Sequence, residues 1–192
     1  EADHRSYSDR YWRTRVLAPT MFVVYLGLSK KLTNVAHHNL YFTHPWTDHF
    51  DTIFRRPAWP ENPSYYVSCA SYDDEAVAPE GKENIFFLVP VAAGLDDTDE
   101  LRERYADKII AHFEHLTGEQ ITPHIQIRRI FSHRDFAEDY NAFKGTALGL
   151  AHTLRQTAVF RPSHRSKRLK NLFYSGQYTH PGIGVPMTLI SS

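Results

Sequence analysis

The chain has 192 residues, 42% hydrophobic and 14% aromatic, with 22 Lys and Arg against 22 Asp and Glu and a single cysteine. This length and apolar content suit one globular domain or slightly more, the balanced charge gives no reason to expect nucleic acid as a partner, and one cysteine rules out an internal disulfide and suits a reducing compartment. The longest strongly apolar run without charge, residues 16–29, falls short of the ~20 residues that cross a bilayer, and the longer uncharged stretch at the end is broken by glycine and proline.

Tyr7, Tyr11 and Trp12 recur at helical spacing over residues 6–14, with Ser6 or Ser8 as the cap. Residues 21–28 are β-rich and almost continuously apolar, which predicts a strand inside a sheet, with residues 39–43 as a pairing partner. Trp46, Phe50, Ile53 and Phe54 predict an amphipathic helix over 46–56, and Pro57, Pro60 and Pro63 a loop. Strands at 64–71 and 84–91 flank a turn at Ala78-Pro79-Glu80-Gly81-Lys82. Cys69 reads as an inert buried thiol in the first of them. Thr98 or Asp99 caps a helix running to about Leu116, with Leu101, Tyr105, Ile109, Phe113 and Leu116 as its buried stripe and Gly118 as its stop. Alternation marks a last long strand at 125–131, and Ser132 caps a further helix. The class expected is α+β, a mixed or antiparallel sheet with flanking helices.

Twelve histidines raise the question of a metal. His112 and His115 lie at i, i+3 and His37 and His38 are adjacent, but no third ligand is placed by spacing, so no metal is expected. Ser132, His133 and Asp135 are the residue types of a hydrolytic triad, yet triads meet in space rather than in sequence, and a capped helix start is the better reading. The basic stretch 161–170 reads as a solvated loop, with anionic lipid headgroups as an alternative partner. Gly145 and Gly149 bracket small and apolar residues, a pattern that either admits a flat ring or polyene or ends a helix. Residues 171–192 contain no charged side chain. They read as a strand at Leu172-Phe173-Tyr174, a loop with Pro181, Gly182 and Gly184, and a helix opened by Pro186. Electron-rich groups bind where glycines bare the backbone before a helix start. Gly182-Ile183-Gly184 opens like a dinucleotide fingerprint, but Met187 stands where its third glycine belongs.

Asn171, Leu172, Gly176, Thr179, His180, Pro181, Gly182, Gly184 and Pro186 match the C-terminal signature of carotenoid desaturases of the phytoene and dehydrosqualene type, with Phe173 for the usual Tyr. Gln156-Thr157-Ala158-Val159-Phe160-Arg161-Pro162, the stretch from Asp139 to Gly149, Ala78-Pro79-Glu80-Gly81, and Phe22 to Leu28 with Ala36-His37-His38-Asn39 resemble further family segments. The resemblance covers almost the whole chain, is most specific in the last fifty residues, and is looser around 45–70 and 92–125.

The family's members are FAD-dependent oxidoreductases more than twice this length, beginning with a strand and G-x-G-x-x-G that this chain does not contain. The resemblance therefore implies a portion of a longer enzyme: a substrate-binding domain at 1–170 of the phytoene desaturase-like, flavin amine-oxidase-like fold, and a returning strand-loop-helix of the FAD domain at 171–192. It implies FAD contacts at Gly176, Thr179, His180, Pro181, Gly182, Gly184 and Pro186, and a substrate tunnel along Gly145, Thr146, Ala147, Leu148 and Gly149. His180 is the candidate proton acceptor, with a structural histidine that hydrogen-bonds the loop as the alternative reading. The implied substrate is a polyisoprenoid or carotenoid, dehydrogenated at C–C single bonds by hydride transfer to flavin; this chain alone is expected to be inactive. Cytoplasmic location is expected, with peripheral contact to a membrane open through Leu40, Tyr41, Phe42, Pro45, Trp46, Phe50, Ile53 and Phe54. The competing readings are a non-catalytic apolar lipid- or carotenoid-binding module, and a polyene isomerase or ketolase of the same fold. An intact loop from Thr179 to Pro186 favours the enzyme.

Overall fold

The computed structural model describes residues 4–192. In chain order the elements are α1 (Asp9–Arg13), β1 (Thr20–Leu28), β2 (His38–Tyr41), α2 (Trp46–Phe54), β3 (Tyr65–Cys69), β4 (Glu83–Val91), α3 (Asp99–Thr117), β5 (Ile125–Phe131), α4 (His133–Tyr140) and α5 (Val185–Ser191), with short 3-10 turns between them. The class is α+β, as expected. The chain folds as two compact units: a sheet unit, Thr20–Gly145, and a loop unit built from Glu1–Pro19 together with Thr146–Ser192. Neither unit ends at residue 170, where the resemblance divides the chain.

The sheet has the order β2-β3-β4-β1-β5, and every neighbouring pair is antiparallel. Nine-residue β1 runs against β4 from Thr20↔Val91 to Leu28↔Glu83 and against β5 from Val23↔Phe131 to Leu28↔Ile125. Both its edges are thus taken, which explains its nearly unbroken apolar sequence. For the same reason β2 cannot pair with β1 as its sequence suggested; it pairs with β3, at the sheet's edge. Along β4, Ile85, Phe87, Val89 and Val91 alternate inward and are buried. Helix α3 covers that face with Tyr105, Ala106, Ile109, Ile110 and Phe113, and Phe87 meets Phe113 edge-on with ring centroids 5.1 Å apart. The helix is delimited as its sequence indicates: the Thr98 hydroxyl accepts from Leu101 N, and Gly118 closes it at φ 72°. The buried stripe is shifted, however: Arg102 is buried and Leu116 is exposed.

Helix α2 is amphipathic, as expected, and its aromatic ridge faces outward rather than into the core. Its aromatic ridge, Trp46, Phe50 and Phe54, is 48–55% exposed, and the residue it buries is His49. His49 Nε2 donates to Pro90 O at 2.7 Å, and Nδ1 accepts from Ser64 N at 2.9 Å. His133 repeats the device two residues further along the strand, donating Nε2–H to Ala92 O at 2.7 Å while Nδ1 accepts from the Ser132 hydroxyl at 3.0 Å. Burial pushes both imidazoles below the ordinary histidine range. Two neutral histidines therefore pin the exit of β4. Ser132 and Asp135 form a capping box, and Asp135 pairs with Arg102 at 2.7 Å, so the Ser-His-Asp sequence is a helix start.

Two buried carboxylates organise the loop after β1. Glu83 accepts from Leu32 N at 3.1 Å and from the Ser71 hydroxyl. Glu119 Oε1 accepts from Thr33 N, Thr33 Oγ1 and Asn34 N at 2.6–3.0 Å, while Oε2 pairs with Lys30 at 2.7 Å. Burial opposes ionisation of Glu119, but the Lys30, Thr33 and Asn34 hydrogen bonds outweigh it and hold the carboxyl at about 2. Cys69, in β3, is buried, and its thiol is pushed up to about 12, mainly by desolvation.

The zero net charge conceals a division. The sheet unit carries twelve Lys and Arg against nineteen Asp and Glu, and the loop unit ten against three. Residues 146–192 contain no acidic side chain.

Glu119 gives a test of the fold. Because its carboxyl titrates below the unfolded value of 4.5, its contribution is fully present above that pH and is lost as pH falls toward about 2. Glu119→Gln should lower unfolding free energy by about 2–3 kcal/mol at pH 7, since it leaves Lys30 unpaired and weakens the acceptor of three donors. The difference from wild type in urea titrations should shrink between pH 4.5 and pH 2. A difference that stays constant over this interval would remove the ionised carboxylate from the account.

Candidate functional site

The candidate cofactor residues all lie in the loop unit, and its organising group is Arg161. This side chain is buried, although its sequence context reads as solvated. Nε donates to Thr179 O at 3.1 Å, Nη1 to Leu150 O at 3.2 Å and Gln156 O at 3.1 Å, and Nη2 to Gln177 O at 2.6 Å. Burial lowers the guanidinium's pKa from its ordinary value. Gln156 is the second hub: its amide donates to Val16 O at 2.8 Å and to Ala151 O at 3.2 Å, and its carbonyl oxygen accepts from Val16 N at 2.9 Å. An antiparallel bridge, Leu17↔Leu150, with Ala18 N donating to Gly149 O and Ala151 N to Val16 O, joins the two segments of the unit.

On this frame the C-terminal loop takes a defined shape. Gly176 N donates to Ser191 Oγ at 2.7 Å, tying the loop's start to the end of α5. Thr179 closes back on Gly176 O through its N–H at 3.1 Å and its hydroxyl at 2.8 Å. His180 is exposed; its ring stacks on His164 at 4.0 Å, and its carbonyl accepts from His164 Nε2 at 2.6 Å. The His180–Pro181 peptide is cis. Gly184 precedes α5, and Pro186 stands in its first turn, as expected. The strand expected at 172–174 is a single antiparallel bridge, Arg165↔Phe173, flanked by Ser166 N donating to Leu172 O at 2.9 Å and Tyr174 N to His164 O at 2.7 Å.

The three loop glycines differ. A Cβ on Gly176 would meet nothing within 4 Å, and one on Gly184 would meet only Pro186 Cδ at 4.0 Å. Bare backbone is open to a flat group at both positions, which is what a cofactor with an extended ring requires. Gly182 is buried, and its Cβ direction is filled by His152 Cε1 at 2.5 Å and Arg161 Cζ at 3.5 Å. Its missing side chain makes room for the protein itself. His152 lies close enough to accept from Ile183 N at 3.4 Å and contacts Thr157 Oγ1 at 3.3 Å.

The five candidate tunnel residues fall on both sides of the unit boundary. In the sheet unit, Gly145 is buried with φ 60°, and a Cβ there would collide with the backbone of His133. Within the loop unit, the buried Thr146 hydroxyl donates to Ala18 O at 3.2 Å and accepts from Gly149 N at 3.2 Å, and Gly149 faces the Tyr178 ring at 3.3 Å. Ala147 and Leu148 are partly exposed. A separate cleft of about 530 Å³ opens in the sheet unit beside α2, lined by Thr43, Asp48, His49 and Trp59 among others; none of residues 145–149 lines it. Among the described residues no group of three or more His, Cys, Asp or Glu could hold a metal ion, and His112 hydrogen-bonds Tyr65 at 2.7 Å. Among the described residues no helix is long and apolar enough to cross a membrane.

Arg161, Gln156, His152 and His164 carry this site, and sequence reasoning assigned none of them a role. For Gln156 and Arg161 the signal was present in the segment 156–162, which they bracket; His152 and His164 lie outside it. The glycines give a direct test. Gly182→Ala should lower the stability of the loop unit by about 1–2 kcal/mol, and the exposed Gly184→Ala by less, since both accept a strained φ but only the first makes the exposed His152 ring move aside. Adding His152→Ala should recover part of the Gly182→Ala loss in a double-mutant cycle. Equal losses for the two glycines, measured by chemical denaturation, would overturn the packing account.

No family model matches the chain. The carotenoid 3,4-desaturase of Haloarcula japonica is 47% identical over 190 residues, covering 98% of this chain and 38% of that protein. The zeta-carotene-forming phytoene desaturase of Myxococcus xanthus is 35% identical over 174 residues, covering 89% of the chain and 34% of its own length. The 4,4'-diapophytoene desaturase (4,4'-diaponeurosporene-forming) of Staphylococcus aureus is 35% identical over 182 residues, covering 89% and 36%. The chain thus spans little more than a third of the length of these curated relatives. Over nearly its whole length, it is homologous to one portion of the carotenoid desaturases.

Proposed function

We propose that this chain is the substrate-binding portion, with a returning element of the cofactor domain, of an FAD-dependent carotenoid desaturase that dehydrogenates C–C single bonds of a long polyisoprenoid. The observation that carries the reading is the 47% identity to a carotenoid 3,4-desaturase across 98% of the chain. In this reading residues 1–170 belong to a substrate domain of the phytoene desaturase-like fold and 171–192 to the FAD domain. When bound, FAD supplies the hydride acceptor. The chain's own residues bind, orient and exclude water.

The loop from Gly176 to Pro186 fits such a group at its open positions. Gly176 and Gly184 present bare backbone, Pro181 and Pro186 fix the turns on either side, and Thr179 and Gly182 hold the loop's shape from within. His180 is assigned as the proton acceptor, its exposed ring aligned by stacking on His164. A polyene offers no polar handle, so it is placed by shape and apolar burial, worth about 25 cal/mol per Å²; Ala147 and Leu148 are the accessible members of the segment assigned to that tunnel. The exposed Leu40, Phe42, Trp46, Phe50 and Phe54 support peripheral contact of a cytoplasmic enzyme with the lipid that holds such a substrate.

Two measurements test this. The protein containing this chain should bind FAD and convert a C40 or C30 polyene to a product with a longer chromophore, read by absorbance. FAD titration of the 192-residue chain alone, followed by flavin fluorescence, should show weak binding or none. Submicromolar binding by the chain alone would overturn the assignment of the main FAD contacts to sequence outside it, and a longer protein that takes up no flavin would overturn the desaturase reading.

A further inference from the structure

Arg161 is an unusual use of a buried cation. Buried arginines are generally matched by a carboxylate. Among the described residues Arg161 has none: no acidic residue occurs between 146 and 192, and Arg161 takes part in no ion pair there. Its four partners are carbonyl oxygens gathered from Leu150, Gln156, Gln177 and Thr179, which lie in three stretches of the chain. Its charge is therefore solvated by peptide dipoles but not cancelled.

Peptide geometry gives this arrangement a direction. In a planar trans peptide the C=O and the following N–H point opposite ways. Turning Leu150 O toward the guanidinium turns Ala151 N–H away from it, and that N–H donates to Val16 O at 3.0 Å. The same rule applies in the C-terminal loop, where Thr179 O faces Arg161 and the His180 N–H, in the same trans peptide, points away from it. Arg161 Cζ also packs behind Gly182. The loop thus has its carbonyls and a fixed positive charge on one side, and the N–H of His180 directed to the other.

We propose that Arg161 is the positioning residue of the C-terminal loop: it orients the loop's peptides for the ligand and sets behind them an uncompensated positive charge that favours a ligand carrying, or gaining, negative charge. The proposal rests on the reading of this loop as part of a flavin site. Such a charge is worth most in a site from which water is excluded.

The test uses the longer protein that contains this chain, with Arg161→Gln, Arg161→Lys and, as a control, Arg165→Gln, which removes an exposed cation four residues on. Amide hydrogen exchange of residues 176–184 should rise about tenfold or more in both Arg161 variants while β4 amides stay as in wild type, since the lost bonds to a charged group are worth about 1.5–3 kcal/mol. FAD dissociation constants should rise about tenfold or more in both. Arg161→Gln alone should also shift the bound flavin toward the oxidised form, a tenfold change being about 30 mV for a two-electron couple. Arg165→Gln should leave all three readouts unchanged.

If Arg161→Gln holds FAD within about twofold of wild type, or its loop amides exchange as in wild type, the positioning role is overturned; if that variant does not fold, Arg161→Lys decides by the same two thresholds. A wild-type protein that takes up no FAD overturns the flavin reading itself. A wild type and variants that bind equally well overturn only the role of Arg161.

Discussion

Thr20 Oγ1 donates to Gly145 O at 2.6 Å, and these are the first and last residues of the sheet unit. The chain enters and leaves a 126-residue body at one hydrogen-bonded point. In the loop unit, Thr146 Oγ1 donates to Ala18 O, and the pairing continues through Leu17 and Leu150. For the sheet unit the Thr20–Gly145 hydrogen bond fixes where β1 begins, and so the register against β4 and β5. Within the loop unit, the Thr146–Ala18 hydrogen bond and the Leu17↔Leu150 bridge bring together two segments 126 residues apart in sequence, so that Gln156 reaches Val16 and Leu150 O reaches Arg161. Gly145 has no Cβ because the His133 backbone occupies that space, so the Thr20–Gly145 point is a packing constraint as much as a hydrogen-bonded one.

What could be read from the sequence was what is settled locally. The start and stop of α3, the cap of α4, the bounds of β5 and the turn at Gly81 follow from residues within a few positions of one another, and each formed where it was expected. The desaturase resemblance was legible for another reason: its motif residues are contiguous. What was not legible depended on partners far away in the chain. The pairing of β2 turned on which strands had already filled the edges of β1. The face that α2 buries turned on His49, which bonds Pro90 O forty-one residues on. Arg161 looked like the first of five solvated cations because nothing beside it in sequence indicates that Leu150, Gln156, Gln177 and Thr179 will surround it.

The glycine loop shows the limit of motif reading within a correct resemblance. Gly182 and Gly184 are two residues apart and both have positive φ, so the sequence treats them alike. One faces the imidazole of His152, and the other faces open space. A glycine needed for internal packing and a glycine needed for ligand approach leave the same letter in the sequence. The difference lies in the residue opposite, which here comes from the segment after Leu150.

Cys69 adds a property of a different kind. A thiol that titrates at about 12 is almost wholly protonated at neutral pH, and thiols react as thiolates. Buried in β3 between two neighbouring strands, it is closed to alkylating reagents while the sheet is intact. Labelling of the chain's single sulfhydryl must therefore wait for β3 to come free. The rate of its modification is an internal clock for opening of the sheet, obtained without introducing a probe.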